Sequence, residues 1–172
     1  GNKSIYRIRA YGKYAYLATN MGIIIIDLDK NEIKDTWRPS ADGSQNEIYD
    51  VCLTNDTIFA ATGKGLFKAS VVNQGLSYYD NWELIPGTYP GKYTCLAASD
   101  NKLFINKQPE GMVVDSVFTY HDGKISSLNG ISPYRNYSFE EKNNEIIICS
   151  GYRVLILNSS GEVIDLIEEY GD

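Results

Sequence analysis

A repeat of about 43 residues is the feature of this 172-residue chain that most restricts its fold. Residues 14–25 read YAYLATNMGIII, and residues 57–68 read TIFAATGKGLFK. The shift that superposes them aligns Tyr6 with Tyr49, Thr19 with Thr62, and Gly22 with Gly65. A fixed period of this length is typical of propellers and solenoids, because each repeat is one supersecondary unit that needs its neighbours to bury its apolar face.

Two weaker copies follow, since KLFIN at 102–106 and EIIIC at 145–149 are again about 43 positions apart. The third copy departs most, because residues 107–116 replace the short turn after its second strand. We therefore predict one domain over 1–172, a partial β-propeller. Its four blades are predicted at about 4–43, 44–87, 88–132 and 133–170.

Each repeat contains four short apolar runs separated by turn residues. Pairs such as Gly12-Lys13, Asn55-Asp56 and Asp100-Asn101 tolerate the positive φ angles that tight hairpins need. The pattern predicts an all-β fold of about four four-stranded antiparallel blades. The predicted strands are 4–10, 14–19, 22–28 and 32–38; 47–54, 57–62, 65–71 and 80–85; 93–99, 102–106, 115–120 and 124–129; 135–141, 145–150, 153–158 and 162–168.

Composition and charge limit the classes of partner that the chain can bind. A net charge of −6 argues against nucleic acid, which needs a basic face. Purely aliphatic runs such as 23–26 are only four residues long, far shorter than the roughly 18 residues of a membrane span, so no membrane insertion is expected. The start at Gly1-Asn2 suggests an excised piece of a longer protein. Cys52, Cys95 and Cys149 each lie in an apolar run, which favours small buried side chains over a metal site.

Residues suited to catalysis are few. The one histidine, His121, precedes Asp122-Gly123 in a predicted hairpin turn. Asp27, Asp29 and Asn31 have the spacing of a calcium loop, but the glycine and glutamate that such a loop needs further along are Glu32 and Arg38 here, so a hairpin turn is favoured. We expect no enzyme activity, no catalytic residue, no cofactor and no metal.

Aromatic residues crowd into the predicted loops, where they can act as contact anchors or as platforms for sugar rings. They can equally cover the ends of the blades, and this packing role is favoured. A neighbouring lysine adds the possibility of an acidic glycolipid or another carbohydrate. The candidate binding residues are Tyr78, Tyr79, Trp82, Tyr89, Lys92, Tyr93, Tyr134 and Tyr137.

The first two repeats carry a familiar pattern. AYLATNMGIIIIDLDKNEIKDTWR at 15–38, followed by DGSQNEIYDVCLTNDTIFAATGKGLF, resembles the amino-terminal β-propeller of PorZ-type proteins of Bacteroidetes. The resemblance is strongest over 4–85 and extends more loosely to the end. It implies a non-catalytic recognition scaffold in the type IX secretion system, located in the periplasm or at the outer-membrane surface. Implied partners are other secretion or envelope proteins and an anionic lipopolysaccharide or glycan.

The resemblance also implies a propeller of more than four blades. The isolated chain is then expected either to form a homodimer through its terminal blades or to close as a small four-bladed ring, since bare sheet edges and faces are rarely tolerated. The alternative function is the periplasmic sensor propeller of a hybrid two-component regulator that binds a carbohydrate. A propeller-type lyase or glycoside hydrolase ranks third.

Overall fold

The computed structural model describes residues 3–131 and 134–168. It forms four antiparallel sheets of four strands each, in two compact units, residues 1–93 and 94–172. The first unit contains β1 (Ile5–Tyr11), β2 (Tyr14–Thr19), β3 (Gly22–Asp27), β4 (Glu32–Trp37), β5 (Ile48–Thr54), β6 (Thr57–Thr62), β7 (Gly65–Ser70), a 3-10 turn (Tyr79–Asn81) and β8 (Glu83–Leu84). β9 (Lys92–Ser99) begins at the boundary, and β10 (Lys102–Gln108), β11 (Ser116–His121), β12 (Lys124–Ser127), β13 (Asn136–Lys142), β14 (Glu145–Ser150), β15 (Arg153–Leu157) and β16 (Val163–Glu168) follow.

Strands follow chain order within every sheet, as the repeat predicts. Neighbouring strands are joined as hairpins, and the turn residues show why the chain reverses where it does. Asn55 and Asp122 have φ angles of 48°, a left-handed conformation that asparagine, aspartate and glycine adopt most readily. The predicted all-β fold of four four-stranded antiparallel sheets is therefore confirmed.

The predicted strand 80–85 is wrong in its extent. The structure has only the two-residue β8 there, preceded by the 3-10 turn. The cause is Trp82, whose buried indole Nε1 donates a hydrogen bond to the Leu76 carbonyl oxygen at 2.9 Å. Placing this ring in the core takes the preceding backbone away from β7, so the ladder can form only after it.

Each unit has its own apolar core. In the first unit, Ile25 of β3 and Val51 of β5 pack in one cluster with Phe67 of β7, and Ala18 and Ala60 keep the two sheets close. The core of the second unit contains Cys95, Ala97, Phe104, Val117, Ile131, Phe139, Ile146, Ile148, Leu155 and Leu157. Burial of these aliphatic and aromatic side chains supplies the main favourable term in the free energy of folding.

An ion pair crosses from the first sheet to the second. The Arg9 guanidinium donates to both carboxylate oxygens of Asp50, from Nε at 3.0 Å and from Nη2 at 2.8 Å. Arg7 approaches the same carboxylate at 3.9 Å, and the Val51 backbone N–H also donates to it at 2.8 Å. The Asp50 side chain is 0% exposed, so its charge depends on these partners.

A hydroxyl closes the turn between the second and third strands of three sheets. Thr19, Thr62 and Ser150 each donate to the backbone carbonyl of the residue three positions later. Thr62 also accepts hydrogen bonds from the Lys64 N–H and the Asn46 side-chain amide, both at 3.0 Å. This residue therefore satisfies three polar groups in a place where water does not reach.

We expect Thr62→Ala to lower the free energy of unfolding by about 2 kcal/mol, because it leaves buried donors and an acceptor without partners. Urea denaturation followed by tryptophan fluorescence measures this. Thr57→Ala, at the other end of the same strand, is the control and should cost well under half as much. Equal losses in the two variants would show that strand propensity, and not the turn hydroxyl, sets the cost.

Candidate recognition surfaces

A tyrosine interrupts the first strand of three sheets. The pairing of β1 with β2, of β5 with β6 and of β13 with β14 skips one residue each time, and the skipped residues are Tyr6, Tyr49 and Tyr137. A β-bulge leaves its extra residue outside the ladder and redirects its side chain. The repeat therefore presents an aromatic ring at the same end of each of these sheets.

In the first unit these rings form what we call the tyrosine row, consisting of Tyr6, Tyr49, Lys92 and Glu47. The Tyr6 and Tyr49 ring centroids are 4.9 Å apart, and the Lys92 ammonium lies 4.5 Å from the Tyr49 centroid. Both phenol hydroxyls donate to the Glu47 carboxylate, Tyr6 at 3.4 Å and Tyr49 over a shorter distance. Aromatic faces with an ammonium and a carboxylate suit polar partners that also have flat apolar surfaces.

The carboxylate also affects ionisation. Partial burial raises the pKa of the Tyr49 hydroxyl above the usual tyrosine range, and the hydrogen bond and negative charge of Glu47 add to this effect. The pKa of Tyr6 is raised for the same reasons. Both phenols therefore stay protonated near neutral pH and remain hydrogen-bond donors.

We expect Glu47→Gln to lower the pH at which these two tyrosines ionise, since it removes the charge that opposes phenolate formation. Ultraviolet absorbance of phenolate during alkaline titration measures it. In the wild-type protein the raised pKa values add stability that is complete below about pH 10 and is lost as the pH rises through the folded-state values. The exposed Glu32, changed to Gln, is the control, and an identical titration of both variants would contradict the assignment.

The second unit has a different surface, which we call the aromatic-loop patch. It consists of Met112, Val113, Val114, Tyr134, Tyr137 and Tyr152. The Tyr134 and Tyr152 rings meet edge to face at 5.6 Å, with the Arg153 guanidinium 5.4 Å from the Tyr134 centroid. Tyr137 lies beside Gly151, where a Cβ would be 4.0 Å from its ring.

The loop 109–115 is joined to this patch by backbone contacts. Arg135 donates from Nη2 to the Met112 carbonyl at 3.0 Å, and the Asp115 N–H donates to the Tyr134 carbonyl at 3.3 Å. At its centre, Gly111 has a φ angle of 71°, which a glycine adopts at little cost. The loop is therefore anchored at both of these points to the segment that directly precedes β13.

A buried polar network fixes the base of that loop. The Asp115 Oδ2 atom accepts from the Asn106 side-chain amide at 2.8 Å and from the Asn136 N–H at 2.9 Å. The Asn136 amide donates in turn to Asn106 Oδ1 at 2.8 Å, and the second Asn106 contact is with Thr94 Oγ1, also at 2.8 Å. The loop that interrupts the third repeat thus begins and ends in one hydrogen-bonded cluster.

The sequence-predicted binding residues separate into three groups. Lys92 belongs to the tyrosine row, and Tyr134 and Tyr137 belong to the aromatic-loop patch. Trp82 and Tyr93 are buried, which fits the packing role that the sequence favours for these aromatic residues. The remaining candidates, Tyr78, Tyr79 and Tyr89, are exposed, and their binding role stays a prediction.

Sequence reasoning missed most of both surfaces. The alignment of Tyr6 with Tyr49 was the available signal for the tyrosine row, but it did not show that these positions are bulges. For the aromatic-loop patch, the available signal was the run of three apolar residues that begins at Met112, within the segment that interrupts the repeat. Their exposure could not be read from the sequence, since a similar run elsewhere forms a strand.

A cleft of about 280 Å³ lies beside the first sheet. Its lining includes Met21, Arg38 and the loop around Ser44. The Asp42 carboxylate holds that loop by accepting from the Ser44 N–H at 2.9 Å and from the Ser40 hydroxyl at 3.0 Å. Hydrogen bonding from the Ser44 side chain, then from the Ser44 backbone and the Ser40 hydroxyl, lowers the pKa of Asp42 to about 2.

The residues considered for chemistry lie in hairpin turns or at the strand end beside one. Asp27 accepts from the Asp29 and Lys30 N–H groups within the β3–β4 hairpin, and His121 is exposed with Nε2 3.2 Å from Asp122. Across the described ranges 3–131 and 134–168, no three histidine, cysteine, aspartate or glutamate side chains form a group that could hold a metal ion. Over the same ranges, no helix has the length and apolar character of a membrane span.

Comparison with known proteins identifies relatives of this fold. The model of the PorZ N-terminal β-propeller domain of the type IX secretion system matches residues 1–83. The structure of PorZ from Porphyromonas gingivalis superposes with a TM-score of 0.74 at 18% identity, covering 96% of this chain and 21% of that protein. A search of curated proteins finds no significant match.

Two further structures share the fold at low identity. The extracellular domain of a protein assigned as a hybrid two component system of B. thetaiotaomicron gives a TM-score of 0.64 at 17% identity, over 96% of this chain and 22% of that one. An ancestral GH74 enzyme gives 0.66 at 15% identity, over 97% and 24%. The chain thus spans only about a fifth to a quarter of each of these structures. The resemblance to PorZ-type proteins is confirmed, because residues 1–83 match the model of the PorZ amino-terminal β-propeller domain.

Proposed function

We propose that this chain is a non-catalytic recognition and scaffold module of a Bacteroidetes cell-envelope protein, working in type IX secretion. Its partners are other envelope or secretion proteins or an anionic glycolipid. The observation that carries the proposal is the match of residues 1–83 to the PorZ amino-terminal β-propeller. An envelope or extracellular location follows from the same relatives, PorZ being a bacterial surface component and the sensor neighbour an extracellular domain.

The surfaces described above support recognition rather than turnover. The tyrosine row and the aromatic-loop patch present rings beside cations, the arrangement that contact anchors and sugar platforms use. Hydrolysis would instead need an acid and a base placed on either side of one bond. The GH74 neighbour shows that the fold can support an enzyme, so a propeller glycosidase remains the third hypothesis.

Deleting the gene in its own bacterium tests the proposal. We expect the proteins exported by type IX secretion to disappear from the cell surface and medium, and a plasmid copy to restore them. The alternative is a sensor propeller that binds a carbohydrate, favoured by the similarity to the two-component extracellular domain. On that alternative, export is unchanged and the transcriptional response to a glycan is lost.

We further propose that the isolated chain dimerises through its terminal blades or closes as a four-bladed ring. Support comes from apolar side chains exposed at both ends of the chain, including Ile5 and Ile8 of β1 and Ile164 and Ile167 of β16. Exposed apolar strands favour association. Light scattering tests it: a dimer fits the first route, a monomer with protected edge amides in hydrogen exchange fits the second, and a monomer with unprotected edges contradicts both.

A further inference from the structure

The loop of the aromatic-loop patch exposes more apolar surface than its fold requires. Met112 is 57% exposed and Val113 is 83% exposed, with Val114 beside them. Three consecutive exposed apolar residues are unfavourable in a soluble protein unless they have a function. In the other three sheets the same connection is a two-residue turn, so the hairpin itself does not need the added residues.

The loop is also held firmly at its base. The Asp115 carboxylate is buried and hydrogen-bonded to Asn106 and Asn136, while Arg135 holds the Met112 carbonyl. An anchor that is ordered before binding loses less conformational entropy when it enters a partner. A rigid base with an apolar tip is therefore suited to inserting into a pocket.

Composition indicates which class of partner fits. The patch and its immediate neighbours combine tyrosine, methionine and arginine, the residue types enriched at protein–protein interfaces, where lysine and glutamate are depleted. A lipid surface is less suitable, because membrane-binding patches combine their apolar face with several unpaired cations. Here Arg135 already lies against the Asp115 carboxylate at 4.0 Å, and Glu110 stands at the loop tip.

We propose that the aromatic-loop patch is a protein-docking site, in which Met112 and Val113 enter an apolar pocket of a partner protein while Tyr134, Tyr137 and Tyr152 cover the surface around that pocket. This inference rests on the proposed recognition function and names its surface. The convex loop supplies the anchor, and the partner supplies the concave surface.

Photo-crosslinking in the full gene product, in its own bacterium, tests the site. A benzophenone amino acid is placed at Val113 and, as the control, at Val72, which is 70% exposed in the first unit. We expect one discrete protein adduct from position 113 and none at that mass from position 72. The crosslinked protein, identified by mass spectrometry and purified, should bind the wild-type chain in isothermal titration.

Val113→Asp should weaken that binding at least tenfold, while Val72→Asp leaves it unchanged; both side chains are exposed, so neither variant should disturb folding. An absent adduct, an adduct to lipid alone, or equal binding by the two variants would overturn the proposal. The proposal would also be overturned if the wild-type protein sediments with phosphatidylglycerol–phosphatidylcholine vesicles and Val113→Asp abolishes this sedimentation. That result would favour a membrane surface as the partner. None of these outcomes would change the export phenotype of the gene deletion. The docking site and the proposed function in secretion are therefore tested independently.

Discussion

Asp50→Ala is expected to cost about 3–5 kcal/mol of folding free energy, because it leaves two arginines next to a buried site without their carboxylate. Arg9 makes two short bonds to this side chain, and Arg7 is 3.9 Å away. A loss of this size is a large part of the stability of an ordinary domain. Urea denaturation at neutral pH measures it, with the exposed turn residue Asp56, changed to Ala, as the control.

Replacing Arg9 and Asp50 together separates the contribution of their charges to stability from the contribution of their packing. Arg9→Met combined with Asp50→Leu removes both charges and keeps the buried volume, so we expect the double variant to recover most of the lost stability. If Asp50→Ala alone costs less than about 1 kcal/mol, in the range of exposed ion pairs, the carboxylate does not hold the two sheets together.

Asp115→Ala is expected to destabilise the second unit by about 3 kcal/mol, since it leaves the Asn106 amide and the Asn136 N–H without an acceptor in a buried place. The same change should release the loop 109–115. Limited proteolysis within the loop is therefore expected to accelerate together with the fall in urea midpoint.

Glu110→Ala, on the same loop but exposed, is the control and should leave both measurements unchanged. A variant that unfolds earlier but keeps a protected loop would show that Arg135 alone positions the tip. Conversely, faster cleavage with no loss of stability would place Asp115 in loop ordering only.

The repeat made the architecture predictable from the sequence. Turn residues at regular spacing fixed the four-strand pattern, because hairpin reversals need positive φ angles that few residues adopt. The prediction was wrong where a single side chain competed with strand pairing. Trp82 lies within the predicted strand 80–85, but its ring is buried in the core, where the indole N–H donates a hydrogen bond to the Leu76 carbonyl oxygen.

The surfaces were less predictable, since they depend on contacts between repeats. Nothing near Asp50 in sequence indicates that Arg9, 41 positions earlier, neutralises it. In the same way, Asn106, Asp115 and Asn136 look like ordinary loop residues until the fold brings them together. Tyr134 and Tyr137 were identified as binding candidates from their loop context alone. Tyr6 and Tyr49 could be identified only from the structure, which shows that both lie at β-bulges.

The consecutive order of strands in every sheet has a consequence for folding kinetics. Each sheet pairs only strands that follow one another along the chain, so one blade can complete its hydrogen bonds before the next is available. Local pairing lowers the entropy of loop closure, which makes folding faster than in β proteins whose strands pair across long separations. A chain that emerges in one direction can therefore acquire its structure blade by blade, from the amino terminus onward.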